Sequence, residues 1–416
     1  MHRSIAVVCA LIGLVACAST PEAEPNPEAP PDWLAELRAR EAELPAAQTL
    51  LPADLSFRVA VPAKPVGSIE TQAEAEAYRL SLDIGTTAPI DCWIYPDSVD
   101  LATSLAALSE STFGAIGEIF GEVEARHIDR VDAGAIGGHP FLALDWMYRV
   151  RTEQGAQVGQ VKHLVARKGV HGLYCQQNEV GYAKSFRRVV GAMLASLEFR
   201  DGSTPPPRFS EVSTMSIRGM QVGVVHTTLS LDAEGDARVD SLTSVLVPVT
   251  ADALQSSDTY EVEFARPDGR LINHVHVETQ NGELTTHLEL NPDANGAWSV
   301  EGTFQGKPLS ARIESPRRVS SWLGDALALR HTLATGGSGA EVTMTRWIPE
   351  ADPTRLVDGT ISIGKQIAPE RYAAKLDAAG IEADLVVDRA GTIASASMDM
   401  GVADVDVERV YVRGAF

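Results

Sequence analysis

From about Phe209 to Phe416 the chain repeats one pattern, a run of alternating apolar and polar residues followed by a short step that ends in glycine. Such runs include GVVHTTLSLDAEGDARVDSL, YEVEFARPDGRLINHVHVETQNGELTTHLEL, AWSVEGTFQGKPLSARIE and EADLVVDRAGTIASASMDM. A side-chain period of two belongs to a strand, and Glu-Gly, Asp-Gly, Asn-Gly, Gln-Gly and Ala-Gly pairs supply the positive φ that tight hairpins need. The stretch is therefore a meander of antiparallel hairpins. Two helices interrupt it, one around Ser321 to Arg330 and one around Pro369 to Ala379, where Pro starts the helix and Gly380 stops it. A sheet that large, apolar on one face and served by two or three helices, must curl around something or pack on its own helices.

Pro205, Pro206 and Pro207 separate this stretch from a first folded half. Stiff proline runs hold domains apart. The boundaries expected are a leader at 1–16, a tether at 17–50, a domain at 51–200, a linker at 201–208 and the β-rich domain at 209–416. In the first half, strand-like runs FRVAVP, AYRLSLDIG and APIDCWIYP precede an apolar helix from Leu101 to Phe120. Four more strands and a closing helix, YAKSFRRVVGAMLASLEF, follow it. Phe186, Val189, Val190, Met193, Leu194 and Leu197 lie on one stripe of that helix, at the spacing that covers a face of a sheet. The fold class is α+β: an N-terminal α+β sandwich, then a larger antiparallel domain. The Phe57-x-Val59-x-Val61-Pro62 opening, the strand order and the close on Ser196-Leu197-Glu198-Phe199 resemble the PsbP and DcrB group of small periplasmic or lumenal domains. The resemblance implies a domain that binds or assists. The second half loosely resembles the half-barrel of LolA-type lipoprotein carriers, which implies a concave face for acyl chains.

The first residues carry one Arg, then an apolar run from Ile5 to Ala16. A spanning helix needs about 20 apolar residues, so this run is a signal-peptide core. Its end, Leu14-Val15-Ala16-Cys17, resembles the lipobox of bacterial lipoproteins. That resemblance implies cleavage before Cys17 and acylation, for example with palmitate, of the new N-terminus. Several acyl chains anchor stably where one does not. Ala18, where the family's sorting rule would read Asp for inner-membrane retention, points to the periplasmic face of the outer membrane. The next segment, ASTPEAEPNPEAPPD, holds five prolines and four acids, a solvated tether. DWLAELRAREAEL then reads as a short helix that needs a docking partner.

The formal charge of −21 excludes nucleic acid as a partner, because phosphate binding needs a basic face. After the leader two cysteines remain, Cys92 and Cys175. In an exported chain they read as a disulfide, with two buried thiols as the alternative. Closing that loop would restrict the unfolded chain by about 4 to 5 kcal/mol. The nucleophile elbow, the zinc-protease helix, the phosphate loop and the dinucleotide fingerprint are all missing from the sequence.

One constellation follows from register. A two-residue turn at Asn281-Gly282 would place His276 opposite His287, His274 opposite Glu289 and Glu278 opposite Thr285, all on one outward face. Val275, Val277 and Thr279 would then form the core side. His274, His276 and His287 with Glu289 could reach one zinc ion, an enzyme-like arrangement if a coordination position stayed open. The leading reading is simpler: the wet side of an amphipathic hairpin, with no cofactor. Glu261 with Glu263, and Asp404, Asp406 and Glu408, read as solvated strand faces too. The function expected is non-enzymatic binding or envelope assembly, for an unknown protein or lipid partner, with a lipid carrier and a zinc enzyme as alternatives.

Overall fold

The computed structural model describes residues 32–97, 100–200, 206–293, 295–314, 318–401 and 403–416. The expected leader, Cys17 and most of the expected tether lie outside the described residues. The chain forms two compact units, one from the described residues before 206 together with 246–256, the other from 206–245 and 257–416.

The first unit contains helices α1 (Asp32–Arg38), α2 (Leu101–Phe120) and α3 (Ala183–Ser196). Its strands are β1 (Gln48–Leu50), β2 (Phe57–Val61), β3 (Lys64–Pro65), β4 (Glu70–Gln72), β5 (Ala77–Asp83) and β6 (Ile90–Tyr95), then β7 (Val123–Ile136), β8 (His139–Thr152), β9 (Gly155–Lys168), β10 (His171–Asn178) and β11 (Glu198–Phe199). The main antiparallel sheet runs β3-β5-β6-β10-β9-β8-β7 with β4 beside β5, and β1-β2-β11 form a small second sheet. The expected stripe of α3 is buried in full, from Phe186 to Leu197, against Ile90, Cys92, Leu164 and Cys175 of the main sheet. Each such side chain contributes about 1.5–3 kcal/mol when taken fully out of water. On the opposite face α2 sets Phe113 edge-on to Trp146 at 5.3 Å. Helices on both faces of a sheet make the α+β sandwich.

The segment after α1 is fastened rather than loose. Tyr182, at the start of α3, has φ +60° and no side-chain cap, and the Glu41 carboxylate accepts the N–H groups of Lys184 and Ser185 at 3.1 and 2.7 Å instead. A carboxylate there also meets the positive end of the helix dipole. The helix expected over 32–44 thus ends at Arg38, and its continuation is used as a cap.

The second unit contains β12 (Phe209–Ile217), β13 (Met220–Leu231), β14 (Ala237–Pro248), β15 (Leu254–Ala265), β16 (Leu271–Gln280), β17 (Glu283–Pro292), β18 (Trp298–Phe304) and β19 (Lys307–Ile313). After them come α4 (Trp322–Thr335), β20 (Glu341–Trp347), β21 (Leu356–Ala368), β22 (Arg371–Ala378), β23 (Ile381–Asp388), β24 (Ile393–Asp399) and β25 (Asp404–Gly414). Among the described residues these strands form one 14-stranded sheet, in the order β19 back to β12, then β25 back to β20. The first and last strands of the unit pair with each other, Glu211 facing Val412. The sheet curls: Trp347 of edge strand β20 packs with Leu271, Leu288, Leu290 and Trp298 from the other end of the strand order. Helix α4 fills the curl with Trp322, Leu323, Ala326 and Leu329.

The helix expected at 369–379 is a strand, β22. Its alanines suit a helix, but Ala374, Leu376 and Ala378 alternate with exposed Lys375 and Asp377 and line up with Ile363, Ile361 and Gly359 of β21. Glu370 at φ +59° belongs to the turn before it, and Ala379-Gly380, both at positive φ, form a hairpin turn after it. Burial of the alternating face outweighs the weak preference of alanine for a helix.

Candidate functional site

Strands β15 and β16 face each other with Glu261 opposite His276 and Glu263 opposite His274. All four side chains point to the buried side, as does Glu278. Glu261 and Glu263 are therefore not on a solvated face. The polar alternation of both strands is turned inward, the reverse of the usual amphipathic order.

The hairpin β16–β17 explains the inversion for the histidines. Its turn is the expected one, Asn281 and Gly282 both at positive φ, with Gln280 opposite Glu283 and Thr279 opposite Leu284. Beyond Thr279 the register shifts, so Glu278 faces Thr286, Val277 faces His287 and His276 faces Leu288. Thr285 is the extra residue of this bulge, and its carbonyl accepts the N–H of Gly306 from the next turn at 2.8 Å. A one-residue slip exchanges faces. His274 and His276 are buried with Leu288 and Leu290, whereas His287 and Glu289 are exposed on the opposite side. The set His274, His276, His287 and Glu289 is not brought together.

What joins the two histidines comes from elsewhere. Glu350 follows β20 in a turn closed by the Ala351 and Asp352 N–H groups on the Ile348 carbonyl, at 3.1 and 3.2 Å. Trp347 fixes the same turn by donating Nε1–H to the Pro353 carbonyl at 2.9 Å, and its ring stands edge-on to His274 with centroids 5.1 Å apart. Ligand-type atoms of Glu261, His276 and Glu350 lie within 4.8 Å of one another. Glu261 Oε1 is 3.4 Å from both His274 Nε2 and His276 Nδ1, and Glu350 Oε1 is 3.9 Å from His276 Nδ1. The Glu350 side chain is 6% exposed, yet neither of its oxygens has a hydrogen-bond partner.

Electrostatics follow from this crowding. Burial pushes the Glu350 carboxyl up to about 8 against the pull of His276, with the Glu261 and Glu278 charges adding to the rise. Burial resists charging of His276 too, but the Glu350, Glu261 and Glu278 carboxyls together bring it to about 9. Burial also works against Glu261, whose carboxyl is nonetheless held well below the usual range by the two imidazoles. Glu278 accepts from Gln280 Nε2 at 2.8 Å.

Beside this cluster lies another, built around Arg346. Arg346 donates to Glu263 at 2.6 Å and to the Ser320 carbonyl at 3.1 Å, and stands 3.6 Å from Asp325. The second Glu263 oxygen accepts the Trp322 N–H at 2.6 Å. Ser321 caps the same helix end by accepting from Gly324 N at 3.1 Å. A Cβ on Gly269 would come within 2.1 Å of Gly324 Cα, so only glycine lets the β15–β16 turn meet the start of α4. These contacts hold the helix against the two strands that carry the cluster.

In the first unit Cys92 and Cys175 are cross-strand partners on β6 and β10 and form a disulfide buried under α3. Asp404, Asp406 and Glu408 are exposed, as a solvated face should be.

No family model and no curated protein matches the chain. Among solved structures, a β-barrel-like protein of the domain of unknown function DUF1849 from Brucella abortus aligns over 50% of this chain and 97% of its own, at 13% identity and TM-score 0.40. PsbP from the cyanobacterium Synechocystis aligns over 38% of this chain and 94% of its own, at 12% identity and TM-score 0.26. A DUF1089 protein from Pseudomonas aeruginosa aligns over 41% and 87%, at 15% identity and TM-score 0.25. At these TM-scores the likenesses assign neither family nor activity to the chain.

Proposed function

We propose that the chain is a lipid-anchored binding protein of the bacterial cell envelope, held at the periplasmic face of the outer membrane through Cys17 and without a catalytic role. The observation that carries this reading is the Cys92–Cys175 bond, made between neighbouring strands and buried in the core of the first unit. Disulfides persist in oxidising compartments and are rare where thiol pools keep cysteines reduced. The lipobox-like leader supplies the route to such a compartment, and the acidic chain then meets membrane through its acyl chains rather than through charge. A lipid carrier would want an open apolar concavity, whereas the apolar inner residues of the second unit, Trp322, Leu323 and Leu329 included, are buried against α4 and the sheet.

The test is made in a Gram-negative host expressing the full chain. Fractionation should place it with outer membranes, Cys17→Ser should release it from them, and alkylation of the denatured, unreduced protein should find no reactive thiol at Cys92 or Cys175. A chain recovered from the cytosol with both thiols reactive refutes the reading. A co-purifying acyl lipid would favour the carrier instead.

A further inference from the structure

We propose that Glu261, His276 and Glu350 form the core of a binding site for a divalent transition metal ion of the zinc class inside the second unit, completed by a side-chain movement of His274, whose Nε2 is 3.4 Å from Glu261 Oε1. The inference does not depend on where the chain resides.

Three observations meet here. The first is spacing. Charge-assisted hydrogen bonds between imidazolium and carboxylate run at about 2.7–2.9 Å. The separations of 3.4, 3.4 and 3.9 Å around Glu261 and His276 are longer than that. Four donors placed tetrahedrally about an ion at about 2.0–2.1 Å stand about 3.3–3.4 Å from each other, which is the spacing of Glu261 Oε1 from both imidazoles.

The second is the state of Glu350. A buried carboxylate without a partner costs several kcal/mol, so buried charges are paired or bind metals. Both Glu350 oxygens are orphaned, and so is His274 Nε2, the atom nearest Glu261. The only buried arginine in this region of the described residues is committed to Glu263 and Asp325, on the neighbouring pair of positions. A divalent cation would neutralise Glu261 and Glu350 together and leave both histidines neutral, as ligation requires.

The third is the chemistry of the donors. Two imidazoles beside two carboxylates suit zinc and its neighbours, whereas calcium and magnesium take oxygen ligands alone. With His274 swung in, four protein donors from three segments, their side chains between 1 and 13% exposed, would leave no coordination position for substrate, which makes the site structural rather than catalytic. Its effect would be to staple the turn after edge strand β20 to β15 and β16.

The full chain, stripped with chelator and titrated with zinc chloride alone, should take up one ion per chain with a rise in thermal midpoint. Glu350→Gln and His276→Gln should each weaken binding beyond the roughly 10–100-fold that outer-shell changes produce. In chelator, Glu350→Gln should unfold no earlier than the parent, because the amide keeps the volume of the carboxyl and cannot leave a charge buried; this separates lost ligation from lost folding. His287→Gln should leave binding unchanged. The proposal is overturned if no zinc binds, if binding survives both inner substitutions, or if His287→Gln abolishes it.

Discussion

Lys162, in the middle of a sheet, and Glu350, in the turn after an edge strand, are both buried ionisable side chains, one in each unit, and the protein treats them in opposite ways. The Lys162 ammonium, wholly buried on β9, donates to the carbonyls of Glu179 and Gly181 and so pins the loop that leads into α3. Burial lowers it to about 8, with Asp145 and Glu179 pulling the other way. Every part of that arrangement is supplied by the chain itself. Glu350 is buried as well, but the nearest opposite charge is His276 at 3.9 Å and neither carboxyl oxygen accepts a hydrogen bond. Burial of charge is thus not by itself a mark of function. Of these two, the one whose carboxyl oxygens accept no hydrogen bond is the one that asks for something from outside.

The contrast can be broken most forcefully at Arg346, the second unit's counterpart of Lys162. Arg346→Met strands the Glu263 and Asp325 carboxylates in the interior and should cost about 3–5 kcal/mol, the range for removing one partner of a buried pair. Chemical denaturation of the second unit measures it. A loss below about 1 kcal/mol would mean that water or protonation relieves the two acids as easily as arginine does.

A smaller loss is expected at Lys162. Lys162→Met keeps the apolar stem and leaves two backbone carbonyls unpaired, for about 1–3 kcal/mol and a faster amide exchange at the start of α3. If stability were unchanged, the comparison with Glu350 would lose its satisfied member.

The subtlest effect concerns Asp145, which faces Lys162 across β8 and β9 and also feels Arg187, Asp129 and Arg130. Burial raises it to about 6, against Arg187 and Lys162. Its folded-state value is higher than the unfolded one, so the stability that this proton carries is present below about pH 4 and is lost as pH rises through about 6. Asp145→Asn should flatten unfolding free energy across that window, and a slope unchanged by the substitution would place the titration elsewhere.

Much of the fold can be read from the chain because it rests on local physics. The α3 stripe from Phe186 to Leu197 lies where the 3.6-residue period puts it, and the helix from Leu101 to Phe120 has the bounds expected of it. The Asn281-Gly282 turn and its first two pairs are as its chemistry requires. The candidate site was legible only in fragments. His274 and His276 stand out as a pair, and so do Glu261 and Glu263, but each pair reads as a wet face because amphipathic strands usually turn such residues outward. Two neighbouring strands carrying complementary ionisable faces in register were the available signal. Glu350, in a turn far along the chain, gave none.

Alternation along a strand states which residues share a face, and turn chemistry states how a hairpin begins; both are properties of a few consecutive residues. Which face is inside depends on the Thr285 bulge, held by a Gly306 N–H from the next hairpin, and on the curl that brings β20 to the far end of its own sheet. Those are long-range contacts. The α3 stripe, the Asn281-Gly282 turn, most of the strands and the disulfide-ready cysteines belong to the sequence; the meeting of Glu261, His276 and Glu350 belongs to the closed sheet, because an interior exists only after distant strands have covered it.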